Sequence, residues 1–129
     1  MRDQIYSYIQ TLNLGTFSLT NEQPYDDNGV ALYVKNPKRI YVGSSQTESN
    51  PLVTALNGLH ISNTTTTVSV YFTTDAKQVP ANYDSIVNQL QAAKDISVSG
   101  VRTRTATVST EFENDLLVTA VELSYTKLT

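Results

Sequence analysis

His60 is the single histidine of the chain, and there is no cysteine. A general base needs a nucleophile and an orienting group within hydrogen-bond reach. His60 instead stands between Leu59 and Ile61, just ahead of a strand-like run, the setting of a structural or surface histidine. Thiolate and multi-histidine metal sites are excluded by the same counts. Asp26, Asp27 and Asn28 offer clustered oxygens, but the spaced D-x-D-x-D-G loop with its terminal Glu is missing, so they read as a solvated turn closed by Asn28-Gly29. Gly43-Ser44-Ser45 lacks the phosphate-cradling pattern of a P-loop, and no G-x-S-x-G or G-x-G-x-x-G occurs. Glu111 and Glu113 flank a turn with no evident cleft. Arg102 and Arg104 share a strand face, where they would either grip an acidic partner or discourage edge-to-edge aggregation. The expectation is a protein that is not an enzyme and that has no catalytic residues, cofactor or metal.

The elements that must position these residues follow from periodicity. Ile5, Ile9 and Leu12, with Tyr8 beside them, predict a helix over 2–13 that buries one narrow stripe. Residues 16–29 are mostly loop, with a brief strand at Phe17 and Leu19. Val30–Val34 and Arg39–Val42 read as short strands joined at Asn36-Pro37, a hairpin. Gly43–Gly58 reads as a long polar segment with an apolar spot at Leu52, Val53 and Leu56. Thr65–Thr74 is a strand with Val68, Val70 and Phe72 on one face and Thr67, Ser69, Tyr71 and Thr73 on the other; Leu59–Ser62 is its expected hairpin partner. Tyr83, Ile86, Val87, Leu90 and Ala93 predict a helix over 80–95. Two strands close the chain, 102–112 and 116–128, around a Glu113-Asn114-Asp115 turn, a hairpin about 35 Å long. Strand, helix and strand over 65–112 suggest a β-α-β crossover. The expected fold is α+β: one domain over 1–129, a single mixed or antiparallel sheet, two helices on one face and a long C-terminal β-hairpin.

Composition narrows the function classes. Net charge is −3, the pI is near 4.9 and 16% of residues are charged, so clustered Lys and Arg for phosphate neutralisation are absent. No run approaches the ~18 apolar residues of a membrane span, and the first residues lack a signal peptide's apolar stretch. Serine and threonine make up about a quarter of the chain, and tyrosines number 8 against 3 phenylalanines. Low charge with abundant tyrosine suits strand faces that meet another protein, while threonine alone also fits ordinary strand propensity.

In order along the chain, the helix Arg2–Asn13, the strand Arg39-Ile40-Tyr41-Val42 with the segment after it, the run Val68-Ser69-Val70-Tyr71-Phe72 leading through Val79-Pro80 into a helix, and the hairpin closing on Val121-Glu122-Leu123-Ser124-Tyr125 make the sequence resemble the tail-terminator (tail-completion) proteins of long-tailed, non-contractile bacteriophages. The resemblance implies a virion protein assembled in the host cytoplasm. It implies a homo-oligomeric ring, a hexamer, that caps the tail tube, ends its polymerisation and joins the tail to the head-completion (stopper) protein. DNA passes through the opening without sequence-specific binding, and no membrane is involved. Another ring of the neck or a tail-tube subunit is the alternative, and a small ligand-binding domain the third reading. Within the resemblance, the subunit contacts are expected at Ser45, Glu48 and Leu52 in the polar segment, at Arg102 and Arg104 as ion-pair partners, and at Glu113 and Asp115 in the last turn.

Overall fold

A computed structural model describes residues 1–54 and 60–128. The expectations placed on Leu56 and Leu59, and on the side chains of Leu52, Val53 and His60, lie outside the described residues.

The fold is α+β, one six-stranded mixed sheet with helices packed against it. Helix α1 (Arg2–Gln10) leads into β1 (Ser18–Thr20), a one-turn helix α2 (Leu32–Lys35), β2 (Arg39–Val42), β3 (Gln46–Thr54) and β4 (His60–Asp75). Helix α3 (Tyr83–Gln91) continues as a 3₁₀ turn (Ala92–Asp95), and β5 (Val101–Glu113) and β6 (Leu116–Leu128) form the C-terminal hairpin. The strand order is β1-β2-β4-β6-β5, with β3 beside β4 in continuation of β2. β4 and β5 are both antiparallel to β6, which lies between them, so the connection through α3 is a split β-α-β crossover.

One face of the sheet is the core face. Ile40 and Val42 of β2, Val68, Val70 and Phe72 of β4, and Val121, Leu123 and Tyr125 of β6 close against Ile5 and Ile9 of α1 and Ile86 and Leu90 of α3. Both long helices therefore cover this face, each with one apolar stripe, as the i, i+4 spacing requires. Three tyrosine hydroxyls tie the layers. Tyr8 Oη donates to the Gln89 carbonyl at 3.0 Å, Tyr125 Oη to the Ala93 carbonyl at 2.6 Å, and Tyr83 Oη meets Thr119 Oγ1 at 2.8 Å. Burial pushes the Tyr125 phenol up to about 12.

Three expectations are corrected. Val30–Val34 is not a strand: Leu32–Lys35 is a helical turn, with the Leu32 N–H bonded to the Pro24 carbonyl at 2.8 Å and the Asn36 N–H to the Leu32 carbonyl at 3.0 Å. The edge of β2 is occupied instead by β1, in parallel, through Ser18↔Arg39 to Thr20↔Tyr41. The polar segment after Gly43 is not a loop over its described part: Gln46–Thr54 is a strand antiparallel to β4, with a register shift between Pro51 and Val53. Over Gln46–Asn50 the side chains are exposed, and hydroxyl pairs reinforce the ladder, Thr47 with Thr66 at 3.4 Å and Ser49 with Thr64 at 3.2 Å. The expected partner of the long strand, Leu59–Ser62, belongs to β4 itself from His60 onward.

Candidate functional site: the hydroxyl face and the open strand edge

The second face of the sheet has no long helix over it. Strand registers stack its side chains in ranks: Glu48, Thr65, Thr126 and Thr103; then Gln46, Thr67, Ser124 and Thr105; then Ser69, Glu122 and Thr107; then Tyr71, Ala120 and Ser109. Ranks lie about 7 Å apart along the strands and neighbours about 4.8 Å apart across them. Two cross-strand pairs are hydrogen bonded, Thr65 with Thr126 and Thr67 with Ser124, each at 3.1 Å. These four ranks carry Glu48 and Glu122 and no Lys or Arg. The surface is polar, uncharged over most of its area and weakly acidic elsewhere, so it offers phosphate no counter-charge.

One corner of this face is aromatic. Tyr33 of α2 stacks on Tyr71 of β4, centroids 4.7 Å apart and planes 10° apart. Tyr25 meets both edge-on, and its hydroxyl lies 3.1 Å from that of Tyr33. The helical turn at Leu32–Lys35 presents Tyr33 there, and Thr73 Oγ1 anchors it by donating to the Tyr33 carbonyl. Burial is the main cause that raises the Tyr33 and Tyr71 phenols above the ordinary tyrosine range. The sequence signal was a tyrosine inside a hydroxyl row at Tyr71; nothing in the sequence announces its partners Tyr25 and Tyr33.

Among the described residues the sheet ends on one side at β5, 13 residues long and hydrogen bonded to β6 alone. It contains no Pro or Lys, and its charges, Arg102, Arg104, Glu111 and Glu113, lie toward its two ends, which leaves Thr105–Thr110 uncharged. A register shift between Val101 and Thr103 bends its first residues. Phe112, near its end, is 73% exposed.

The residues expected at subunit contacts are dispersed over this framework. Ser45 lies between β2 and β3, where its Oγ accepts the Arg2 backbone N–H at 3.0 Å and so caps the start of α1. Glu48 is exposed on β3 opposite Thr65. Leu52 lies on β3. Arg102 is exposed at the β5 irregularity. Arg104 is used inside the subunit: Nη1 donates to the Lys94 carbonyl at 2.8 Å and also to the Ile96 carbonyl, and the guanidinium lies 5.9 Å from the Tyr125 ring centroid. That role, closing the C-terminal carbonyls of the 3₁₀ turn, occupies two of its donors. Glu113 and Asp115 are exposed at the far end of the hairpin, Asp115 with its carboxylate 3.7 Å from Lys77 Nζ. Glu48 and the start of β5 are three strand spacings apart, about 14 Å, and Glu113 is about 35 Å further along the hairpin from Arg102. The set forms no single cluster.

The remaining candidate groups serve local structure. Asp26 Oδ1 accepts the Asn28 and Val30 N–H groups, both at 2.9 Å, which closes its own turn. Among the described residues no group of three or more His, Asp or Glu side chains could hold a metal ion. No helix among them is long and apolar enough to cross a membrane.

The chain matches no family model and no curated protein.

Proposed function

We propose that this chain is a structural subunit that joins copies of itself into a closed ring and works as a tail terminator of a long-tailed bacteriophage. In this reading the ring caps the tail-tube protein, stops its polymerisation and presents its other side to the head-completion protein. The observation that carries the reading is the edge strand β5. Among the described residues this strand of thirteen pairs with β6 alone, and its outward N–H and C=O groups are placed to receive a further strand. A ring needs heterologous contacts, in which one edge of each copy meets a different surface of the next. The weakly acidic hydroxyl face supports the same reading, because a wall beside passing DNA must not hold phosphate.

Native mass spectrometry tests assembly, and a gene knock-out tests the role. The expected results are one discrete closed oligomer and overlong, headless tubes. Phe112→Lys, placed on an exposed position, is expected to weaken the oligomer while leaving the subunit folded by circular dichroism. A monomer at high protein concentration, or tails of normal length in the knock-out, overturns the proposal. Complete loss of tails assigns the chain to the tube itself.

A further inference from the structure

A groove of about 360 Å³ opens beside the tyrosine cluster, where β2 passes into β3. We propose that it is a binding site for an uncharged, hydroxyl-bearing ring, a sugar residue. Its walls are the rings of Tyr25 and Tyr71 with Pro24, and its polar groups are Gln23, Ser44, Gln46, Thr67 and Ser69. Among the described residues no charged side chain lines it. An anion would find no cation there and a cation no carboxylate, so an ionic ligand has nothing to select the site. Hydroxyl and amide side chains both donate and accept, which matches a ligand whose own hydroxyls do both. Aromatic faces are electron-rich and receive the slightly positive C–H groups of a sugar ring. The volume is in the range of small-ligand clefts.

The floor is built rather than incidental. Gly43 donates its N–H to the Ser69 carbonyl at 2.8 Å. A Cβ on Gly43 would stand 3.2 Å from that oxygen, 3.8 Å from Pro24 Cγ and 3.9 Å from Tyr71 Cε2, between the two walls. Ser44 Oγ and Gln23 Oε1 are 3.0 Å apart, which ties the 21–29 segment to the strand junction. Tyr71 is held by its stack on Tyr33, so its ring is positioned before any ligand arrives. An extended peptide is a poorer fit. The backbone here is already paired, Tyr41 with Tyr71, Gly43 with Ser69 and Gln46 with Thr67, and leaves no ladder edge to extend.

A free sugar and a residue within a glycan chain share this chemistry, and the test separates them. ¹H–¹⁵N spectra of the full chain are titrated with methyl α-glucoside, N-acetylglucosamine and maltotriose, with inorganic phosphate as the ionic control. The expected result is saturable shifts at the Gly43, Ser44, Gln46 and Ser69 amides for at least one saccharide, half-complete in about the millimolar range. Gln46→Ala with Ser44→Ala is expected to weaken this at least about tenfold with the rest of the spectrum unchanged. Tighter binding of maltotriose than of the glucoside indicates a glycan residue; equal binding indicates a free sugar. Absence of saturable shifts with every saccharide, equal shifts with phosphate, or binding unaffected by the double substitution overturns the site. The oligomeric state is measured on the same sample, so this inference and the ring proposal fail separately.

Discussion

The two faces of this sheet are made from the same strands and held by different physics. On the core face, β4 and β6 present Val68, Val70, Phe72, Val121 and Leu123 to two helices, and every one of these side chains is fully buried. On the opposite face the alternate residues of the same strands are Thr65, Thr67, Ser69, Ser124 and Thr126, all half-buried, with Thr65 hydrogen bonded to Thr126 and Thr67 to Ser124. Alternation with period 2 makes this division possible within a single strand. The contrast teaches where stability and where recognition reside. Removing apolar surface from water stabilises by about 1.5–3 kcal/mol for a large aliphatic side chain, whereas a cross-strand hydroxyl pair contributes about 0.2–1 kcal/mol. The second face can therefore be rewritten for a partner at little cost to the fold.

Substitutions on the two faces test that contrast directly. The largest effect is expected at Val121, which is fully buried and stands between Val70 and Val108 across the strands. Val121→Asp leaves an unpaired carboxylate in the core and is expected to remove more than about 4 kcal/mol, enough to unfold the domain. Circular dichroism checks this, and a native spectrum would show that the β6 face assignment is wrong.

Tyr125→Phe is the intermediate case. It deletes the bond to the Ala93 carbonyl and is expected to cost about 1–3 kcal/mol in urea denaturation. It also carries a pH signature. The Tyr125 phenol titrates near 10.0 when unfolded and at about 12 in the fold, so the native state favours the neutral form. Its contribution is fully present below pH about 10 and is lost as pH rises toward 12. Tyr125→Phe is expected to flatten this alkaline decline measured between those values, and an unchanged slope would assign it to other tyrosines.

The smallest effect is expected on the hydroxyl face. Thr105→Val keeps the branched shape and removes one exposed hydroxyl, and is expected to change stability by no more than about 0.5 kcal/mol. A loss above about 1 kcal/mol would mean that the face supports the fold as well as clothing it.

Much of this division is legible in the sequence. The stripes Ile5/Ile9 and Ile86/Leu90, the inner row of β4 and the C-terminal hairpin all follow from periodicity, because in each case apolar burial decides the structure. The regions that escape are those where burial does not decide. β3 carries Gln46-Thr47-Glu48-Ser49-Asn50-Pro51, with no apolar alternation, and is held by a ladder to the threonines of β4. Val30–Val34 is a short apolar run, for which periodicity does not separate strand from helix; the position a strand would take beside β2 is already filled by β1. Tyrosine enrichment suggested interfaces, yet Tyr8, Tyr83 and Tyr125 bind layers within the subunit. Of the residues expected at contacts, Arg104 turned inward for a reason no spacing reveals: the carbonyls it closes belong to a turn formed ten residues earlier in the chain.

The central place of β6 governs when the domain can close. β6 follows both β4 and β5 in the sequence, and it fills the gap between them. A nascent chain on the ribosome that lacks residues 116–128 holds two strands with no common neighbour, and the core face lacks Val121, Leu123 and Tyr125. Synthesis proceeds at about 5–20 residues per second, so β4 stays open on one side for seconds before its partner emerges. Closure of the sheet thus waits for β6 to emerge, and a chain cut within it would leave β4 and β5 without their common neighbour.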